Sequence, residues 1–288
     1  MATNSVAGAF KVLEAVAELQ PVGLSDLART VDLPKSTTQR MLLTLAEIGW
    51  LRASTDAPTR WSLTYRALRM GRRVDARLGV REVALPVMSE LQLETTETVH
   101  LAVPDGDVLI LLERVDTSHR LRAFLPLGEH IPFHASATGQ AYLSACTDDE
   151  VERYLAGDLA AVAPGTITDA AALRERVQTI RERGWSINEG GLSQGITALG
   201  APIVDRSGRP VGAMSVSGPS SRMTPDRYEA LGTAVAAAAA RTSQQLEPGA
   251  LAGRDAGRTG PYSPYSTCES VPPSTAYQRS SSGTTPSG

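Results

Sequence analysis

The chain has 288 residues, 42% hydrophobic and 20% charged, with a formal net charge of −3. That is room for one large domain or two modest ones, with a composition ordinary for a globular protein. Its longest apolar stretch, near 234–240, is alanine-rich and far short of the roughly 18–20 residues a membrane span needs, which excludes a membrane partner and, with no basic-then-apolar leader, predicts a cytoplasmic protein.

A net charge this small argues against a general nucleic-acid binder, but the distribution is uneven. Residues 1–80 carry 11 Lys+Arg against 7 Asp+Glu, a balance of +4; residues 81–247 carry 14 against 22, a balance of −8. A basic head on an acidic body is the asymmetry expected when one domain meets phosphate and the other does not. Of the two cysteines, Cys268 sits in a low-complexity tail; a disulfide is not expected, and two are too few for a zinc ribbon.

In chain order, Val6, Phe10, Leu13, Val16 and Ala17 recur at helical spacing and predict an amphipathic helix over 5–19, ended by Pro21 and Gly23. Leu24, Leu27, Ala28 and Val31 predict a short second helix. Asp32-Leu33-Pro34 is a tight break, with Pro34 suited to the first position of a third helix running to Ile48. Its buried stripe is Thr38, Met41, Leu42, Leu45 and Ile48, and Gly49 is its stop. Two short β-like runs, 50–52 and 60–63, flank a Ser/Thr/Asp/Pro-rich tip and predict a hairpin. Three helices and a hairpin are the order of a winged helix-turn-helix, assigned to 1–64.

Residues 65–80 predict a basic linker helix with Arg66, Arg69, Arg73 and Arg77 near one face, followed by a helix interrupted by Pro86 and reaching Glu94. Beyond it the periodicity changes: strands over 99–103, 108–115, 121–124, 196–204 and 210–216, and helices over 135–145, 148–155, 170–183 and 225–246, the last with Thr224 as N-cap. Residues 81–247 form this mixed α/β domain. In 248–288, Pro, Gly, Ser and Thr dominate and only Leu251 and Val271 are large aliphatics, so this tail is expected to be disordered.

In a helix-turn-helix the second helix of the motif enters the major groove with its N-terminal residues near base edges. Here that stretch is Lys35-Ser36-Thr37-Thr38-Gln39-Arg40. Arg40 can bond guanine and Gln39 adenine in bidentate fashion, Ser36 and Thr37 suit phosphates or bases, and Lys35 suits a phosphate. Arg52 and Arg60 on the hairpin are placed to grip the backbone or the minor groove. These seven residues, Thr38 apart, are the candidate DNA-binding set, and their partner is double-stranded operator DNA.

The segments Leu24–Ala28, Leu33–Thr37, Leu45–Leu51, Glu97–Ala102, Pro132–Gly139, Gly195–Asp205 and Ser215–Pro219 together resemble the IclR family of transcription regulators, in order, over about 5–247. The resemblance implies an α+β chain: a winged helix-turn-helix, then a GAF-like domain with a twisted antiparallel sheet that binds a small-molecule effector and forms a homodimer or homotetramer. By resemblance the effector pocket takes in Ser136, Ala137 and Thr138 at a helix start, and Asn188, Ala198, Ser215 and Ser217. Asn188 stands where some members have aspartate, and Ala198 where some have cysteine. Both changes remove polarity or charge and open the expectation to an aromatic or larger acid. The implied function is a regulator, most often a repressor, with no enzymatic activity, cofactor or metal. The alternative is a metabolite-binding protein or enzyme with a helical docking head.

Two patterns compete with this reading. Gly191-Leu192-Ser193-Gln194-Gly195 matches the G-x-S-x-G nucleophile elbow, but a strand follows where a helix is required and no histidine follows His134. His100, His119, His130 and His134 crowd into one stretch, but Pro132 breaks the i,i+4 pair, and Glu129 and His134 are read instead as anchors of a strand-to-helix corner.

Overall fold

The computed structural model describes residues 4–75 and 79–246. The tail assigned to 248–288 lies outside them.

The head contains α1 (Asn4–Leu19), β1 (Val22–Gly23), α2 (Leu24–Thr30), α3 (Lys35–Glu47), β2 (Leu51–Ala53) and β3 (Arg60–Leu63). Val12, Ala15, Val16, Leu27, Leu42 and Leu45 from the helices close on Val22, Leu51 and Trp61 from the strands. Asp32, at φ 51, makes the sharp break between α2 and α3. Pro34 sits one residue earlier than expected, in the N-cap position with extended backbone. The hairpin gains a third strand that the sequence did not announce: Val22 and Gly23 pair with Trp61 and Arg60. The stripe on α1 is offset as well, since its buried face is Gly8, Val12, Ala15 and Val16 while Val6, Phe10 and Ala17 are exposed. On α3, Ile48 is exposed.

Helix α4 (Tyr65–Asp75) covers the first part of the linker helix expected over 65–80, of which 76–78 lie outside the described residues, and helix α5 (Val80–Thr95) follows; Gly79, at φ 57, precedes α5. Arg66 donates to the Ile48 carbonyl at the end of α3 and lies over the Trp50 ring. Its guanidinium therefore ties α4 to the head while the residue stays exposed. The side chains of Arg73 and Arg77 fall outside the described residues.

The body is a six-stranded, wholly antiparallel sheet of order β6-β5-β4-β9-β8-β7, made by β4 (Thr98–Asp105), β5 (Val108–Val115), β6 (His130–Pro132), β7 (Ser186–Glu189), β8 (Ile196–Val204) and β9 (Pro210–Pro219). One face carries Val99, Leu101, Leu199, Ala201, Ile203, Met214 and Val216, and α5 and α9 (Tyr228–Gln245) cover it with Met88, Leu91, Leu231 and Val235. The other face carries Ala102, Leu109 and Leu111 under α6 (Ala137–Ala145), α7 (Asp148–Leu155) and α8 (Ala170–Arg183). Alternation along each strand sends one set of side chains to each layer, which is why these strands read as nearly continuous apolar runs.

Four expectations need correction. Residues 121–124 form no strand; β6 occupies that edge instead, and β7 went unread. Thr224 holds the N-cap position with Pro225 just inside, as expected, but its side chain makes no cap bond and Pro225–Arg227 is a 3-10 turn ahead of α9. Finally, α6 starts at Ala137 because Ser136 caps it, its Oγ accepting from the Gly139 N–H at 2.9 Å.

Candidate functional site

The start of α3 presents the first candidate surface. Lys35, Ser36, Gln39 and Arg40 are exposed, Thr37 is half-buried, and Thr38 is buried with its hydroxyl returned to the Pro34 carbonyl. The outward set follows from the inward one: Thr38, Leu42 and Leu45 pin one face to the head's core, so 36, 39 and 40 point away. The first turn has no acidic residue, and a lysine stands at the positive end of the helix dipole. That arrangement is unfavourable for an isolated helix and favourable for one that meets an anion. Gln39 shares an open groove with Ser25, Thr59 and Arg60, so the wing and α3 flank the same space. Arg52 is exposed. The Arg60 guanidinium donates to the Pro21 carbonyl at 3.2 Å, so it also braces the third strand.

The second candidate is a cavity of about 260 Å³ in the body, and all seven residues assigned to the effector lie on its wall. The sheet register explains why. Asn188 pairs with Ala198, Ala198 with Ser217 and Ser217 with Thr98, a single row across β7, β8, β9 and β4; Ser215 pairs with His100 one step along. The start of α6 roofs part of this row. It can approach because Gly200 lacks a Cβ, which would stand 2.8 Å from the Ala137 carbonyl oxygen, and the Ser186 hydroxyl donates to that same carbonyl at 2.7 Å. The first amides of α6, those of Ala137 and Thr138, have no carbonyl within their own helix to donate to. Asn188 Oδ1 accepts from the Gly191 N–H at 2.9 Å, so this side chain also shapes the loop that carries Ser193 to the wall.

Sequence reasoning missed His100 and Arg122. His100 is buried beneath the cavity, with Nδ1 3.2 Å from Ser217 Oγ and Ser217 Oγ 3.4 Å from Ser215 Oγ. Its position in Thr98–Ala102, opposite a serine-bearing strand, was the available signal. Burial, helped by the charge of Arg114 and opposed by Asp116, lowers its pKa from 6.5 to about 4, so the imidazole is neutral at physiological pH. The unfolded chain takes up a proton at this histidine below about pH 6.5, while the folded one stays neutral down to about 4. The histidine's share of the stability is therefore lost as pH falls through that window. Denaturant unfolding from pH 7 to 4 should show this loss, and His100→Phe should flatten that part of the profile.

Arg122 lies on the segment joining β5 to β6, its Nε 3.6 Å from Asp116 Oδ1. Among the described residues it is the one fully charged side chain on the cavity wall, and no carboxylate lines it. The same segment is tethered by Arg114, which donates to the Leu125 carbonyl and lies under the Phe124 ring at 4.2 Å, and by Arg222, which donates to the Leu121 carbonyl at 3.0 Å.

The competing patterns resolve structurally. Ser193 is followed by β8, not by a helix. His134 Nε2 is 2.9 Å from the Ala160 carbonyl and Nδ1 is 2.6 Å from the Tyr154 hydroxyl, so this histidine fastens the β6–α6 corner; the carbonyl can only accept, which places the proton on Nε2. Among the described residues no three His, Cys, Asp or Glu side chains gather as metal ligands, and no helix is long and apolar enough to cross a membrane.

Comparison with known proteins agrees with this architecture along its length. Residues 5–54 match the IclR helix-turn-helix domain, and residues 73–244 match the bacterial transcriptional regulator IclR C-terminal domain. The HTH-type transcriptional regulator BhcR of Paracoccus denitrificans is 34% identical over 250 residues, 86% of this chain and 89% of the relative. The transcriptional repressor IclR of Escherichia coli is 32% identical over 240 residues, 82% of this chain and 87% of the relative. Among solved structures, an IclR homolog from Microbacterium hydrocarbonoxydans complexed with 4-hydroxybenzoate superposes with a TM-score of 0.72 at 26% identity, over 83% of this chain and 98% of that one. With both domain models matched in order on a winged head and an antiparallel-sheet body, the chain belongs to the IclR family of bacterial transcriptional regulators.

Proposed function

We propose that this chain is a cytoplasmic, ligand-responsive repressor, not an enzyme, that binds operator DNA through residues 1–64 and a small organic acid through residues 81–247. Lys35, Ser36, Thr37, Gln39, Arg40, Arg52 and Arg60 are its DNA contacts, and residues 65–80 couple the two parts. It acts as a homodimer or homotetramer, since a two-fold assembly reads two half-sites about one helical turn, or a multiple of it, apart. The observation that carries the reading is the outward, carboxylate-free start of α3 on a head whose opposite helix face is locked into the core.

For the ligand, the cavity wall offers one arginine, the first amides of α6 and a serine row, with no acidic side chain. That set favours an anion. A volume of about 260 Å³ exceeds the roughly 150 Å³ void that holds benzene and falls just below the roughly 300–1,000 Å³ of drug-sized sites. A one-ring or short-chain acid fits, of the kind bound by the Microbacterium homolog. Effector binding alters DNA affinity only insofar as the acid binds the two arrangements of the dimer unequally.

Footprinting upstream of the protein's own gene, with and without a panel of aliphatic and aromatic acids, tests both halves. A protected pseudo-palindrome that an acid releases is the expected result. Arg40→Ala should weaken binding to that site by about 1–3 kcal/mol and binding to random duplex far less. Failure to bind any duplex at low ionic strength, or an unchanged ratio of specific to random affinity in Arg40→Ala, contradicts the assignment.

A further inference from the structure

Among the described residues on the cavity wall, His100 carries the one fully buried polar side-chain atom without a hydrogen-bond partner. It is 3% exposed. Nδ1 faces the Ser217 hydroxyl, which continues to Ser215, whereas Nε2 has no partner. A buried polar nitrogen left unpaired forfeits its hydration without a replacement bond, so a fold keeps one only where something offsets it. The neutral ring is also adaptable. If Ser217 donates to Nδ1, Nε2 carries the proton and donates; if Ser217 accepts, Nε2 is a lone pair and accepts. The serine row thus lets one nitrogen serve as donor or acceptor, which suits a hydroxyl or an oxo group. It suits a carboxylate poorly, because a carboxylate calls for charge or several fixed donors. Those stand elsewhere on the wall, on α6 and at Arg122, while His100 rises from β4.

We propose that His100 is the specificity-determining residue of the cavity: its Nε2 hydrogen-bonds a neutral hydroxyl or oxo group on the bound acid, so the protein selects a hydroxy or oxo acid over the parent acid lacking that group. This rests on the cavity's being an acid site. When the parent acid binds, Nε2 stays buried and unpaired, and a site built around a hydrogen bond rejects an analogue that cannot make it.

The test is calorimetric titration of the full-length protein with matched pairs: benzoate against 2-, 3- and 4-hydroxybenzoate, and propionate against lactate and pyruvate. In at least one series the substituted acid should bind roughly tenfold or more tighter than its parent. In His100→Phe, which keeps the ring and removes both nitrogens, its affinity should fall to that of the parent. A second reading uses the unaltered protein: in ¹⁵N-histidine NMR, the Nε2 resonance of His100 should move on adding the preferred acid and stay in place with the parent. Parent acids binding as tightly as their substituted partners, or a gap that survives in His100→Phe, or an unmoved Nε2 resonance, each overturns the proposal while leaving the acid site standing. Binding of no acid from either series overturns the acid site, and this proposal with it.

Discussion

Arg222→Ala should cost the folded protein about 3–5 kcal/mol, the penalty for leaving a buried charge without its partner. Glu97 lies between α5 and β4 with its side chain 1% exposed, and Arg222 grips both carboxylate oxygens, at 2.6 and 2.7 Å. The arginine itself is 27% exposed. The two residues are far apart in sequence but meet because Thr98 pairs with Ser217, which brings the end of α5 beside the turn that leaves β9. Removing the arginine keeps the carboxylate buried and takes away its charge-assisted bonds. Removing both should cost much less: Glu97→Leu with Arg222→Met should recover most of the loss, because the pair's attraction largely offsets its own desolvation. Denaturant unfolding of the single and double variants measures the difference. A single-variant loss within about 1 kcal/mol, the size of a surface pair, would show that Glu97 does not depend on this arginine. Arg222 also holds the Leu121 carbonyl, so the segment over the cavity should loosen in the variant and its affinity for acids should drop as well.

How much of this was legible in the sequence depended on how local the cause was. Helices α7 and α8 and strands β5 and β8 have the bounds that capping residues and apolar periodicity suggest: Thr147 with Glu150 boxes α7, and Asp169 and Gly184 cap α8 at its two ends. What went unread was set by distant partners. Val22-Gly23 is a strand only because Trp61 and Arg60 lie beside it, and His130–Pro132 only because β5 offers an edge. Residues 121–124 have strand-like side chains, yet Arg222 takes up the Leu121 carbonyl and Arg114 that of the following Leu125, which holds the segment over the cavity. On α1, period alone could not distinguish the Val6–Phe10 side from the Gly8–Val12 side; packing against Met41 and Leu33 chose the one with the small residue. The site shows the same division. Resemblance supplied seven wall residues scattered from 136 to 217, but His100 was hidden among four histidines whose crowding suggested a metal, and its place on the wall appears only once β4 is paired with β9.

Gly139→Ala separates these two kinds of cause, because local propensity and packing predict opposite signs. Alanine in place of a helical glycine normally stabilises by about 1 kcal/mol. Gly71, in α4, is a fair control: a Cβ there would meet nothing within 4 Å, so Gly71→Ala should stabilise by about 0.5–1 kcal/mol. At Gly139 the added Cβ would stand 2.4 Å from both the Cα and the carbonyl oxygen of Phe133. These are backbone atoms, and they cannot rotate away. Phe133 is itself fixed between the rings of Tyr142 and Tyr154, each with its centroid 5.0 Å away, and the next residue is fastened by the two bonds of His134. Relief must come from moving the first turn of α6 off the β6 corner. Overpacking of this kind costs about 1–3 kcal/mol, enough to outweigh the propensity gain. The same shift displaces the Ala137 and Thr138 amides, so affinity for acids should fall by about tenfold or more if those amides hold the carboxylate. Thermal unfolding with and without a saturating acid reads both effects. A Gly139→Ala protein that melts higher than the parent, as the Gly71→Ala control should, would mean that α6 is free to move and that the cavity does not depend on this contact.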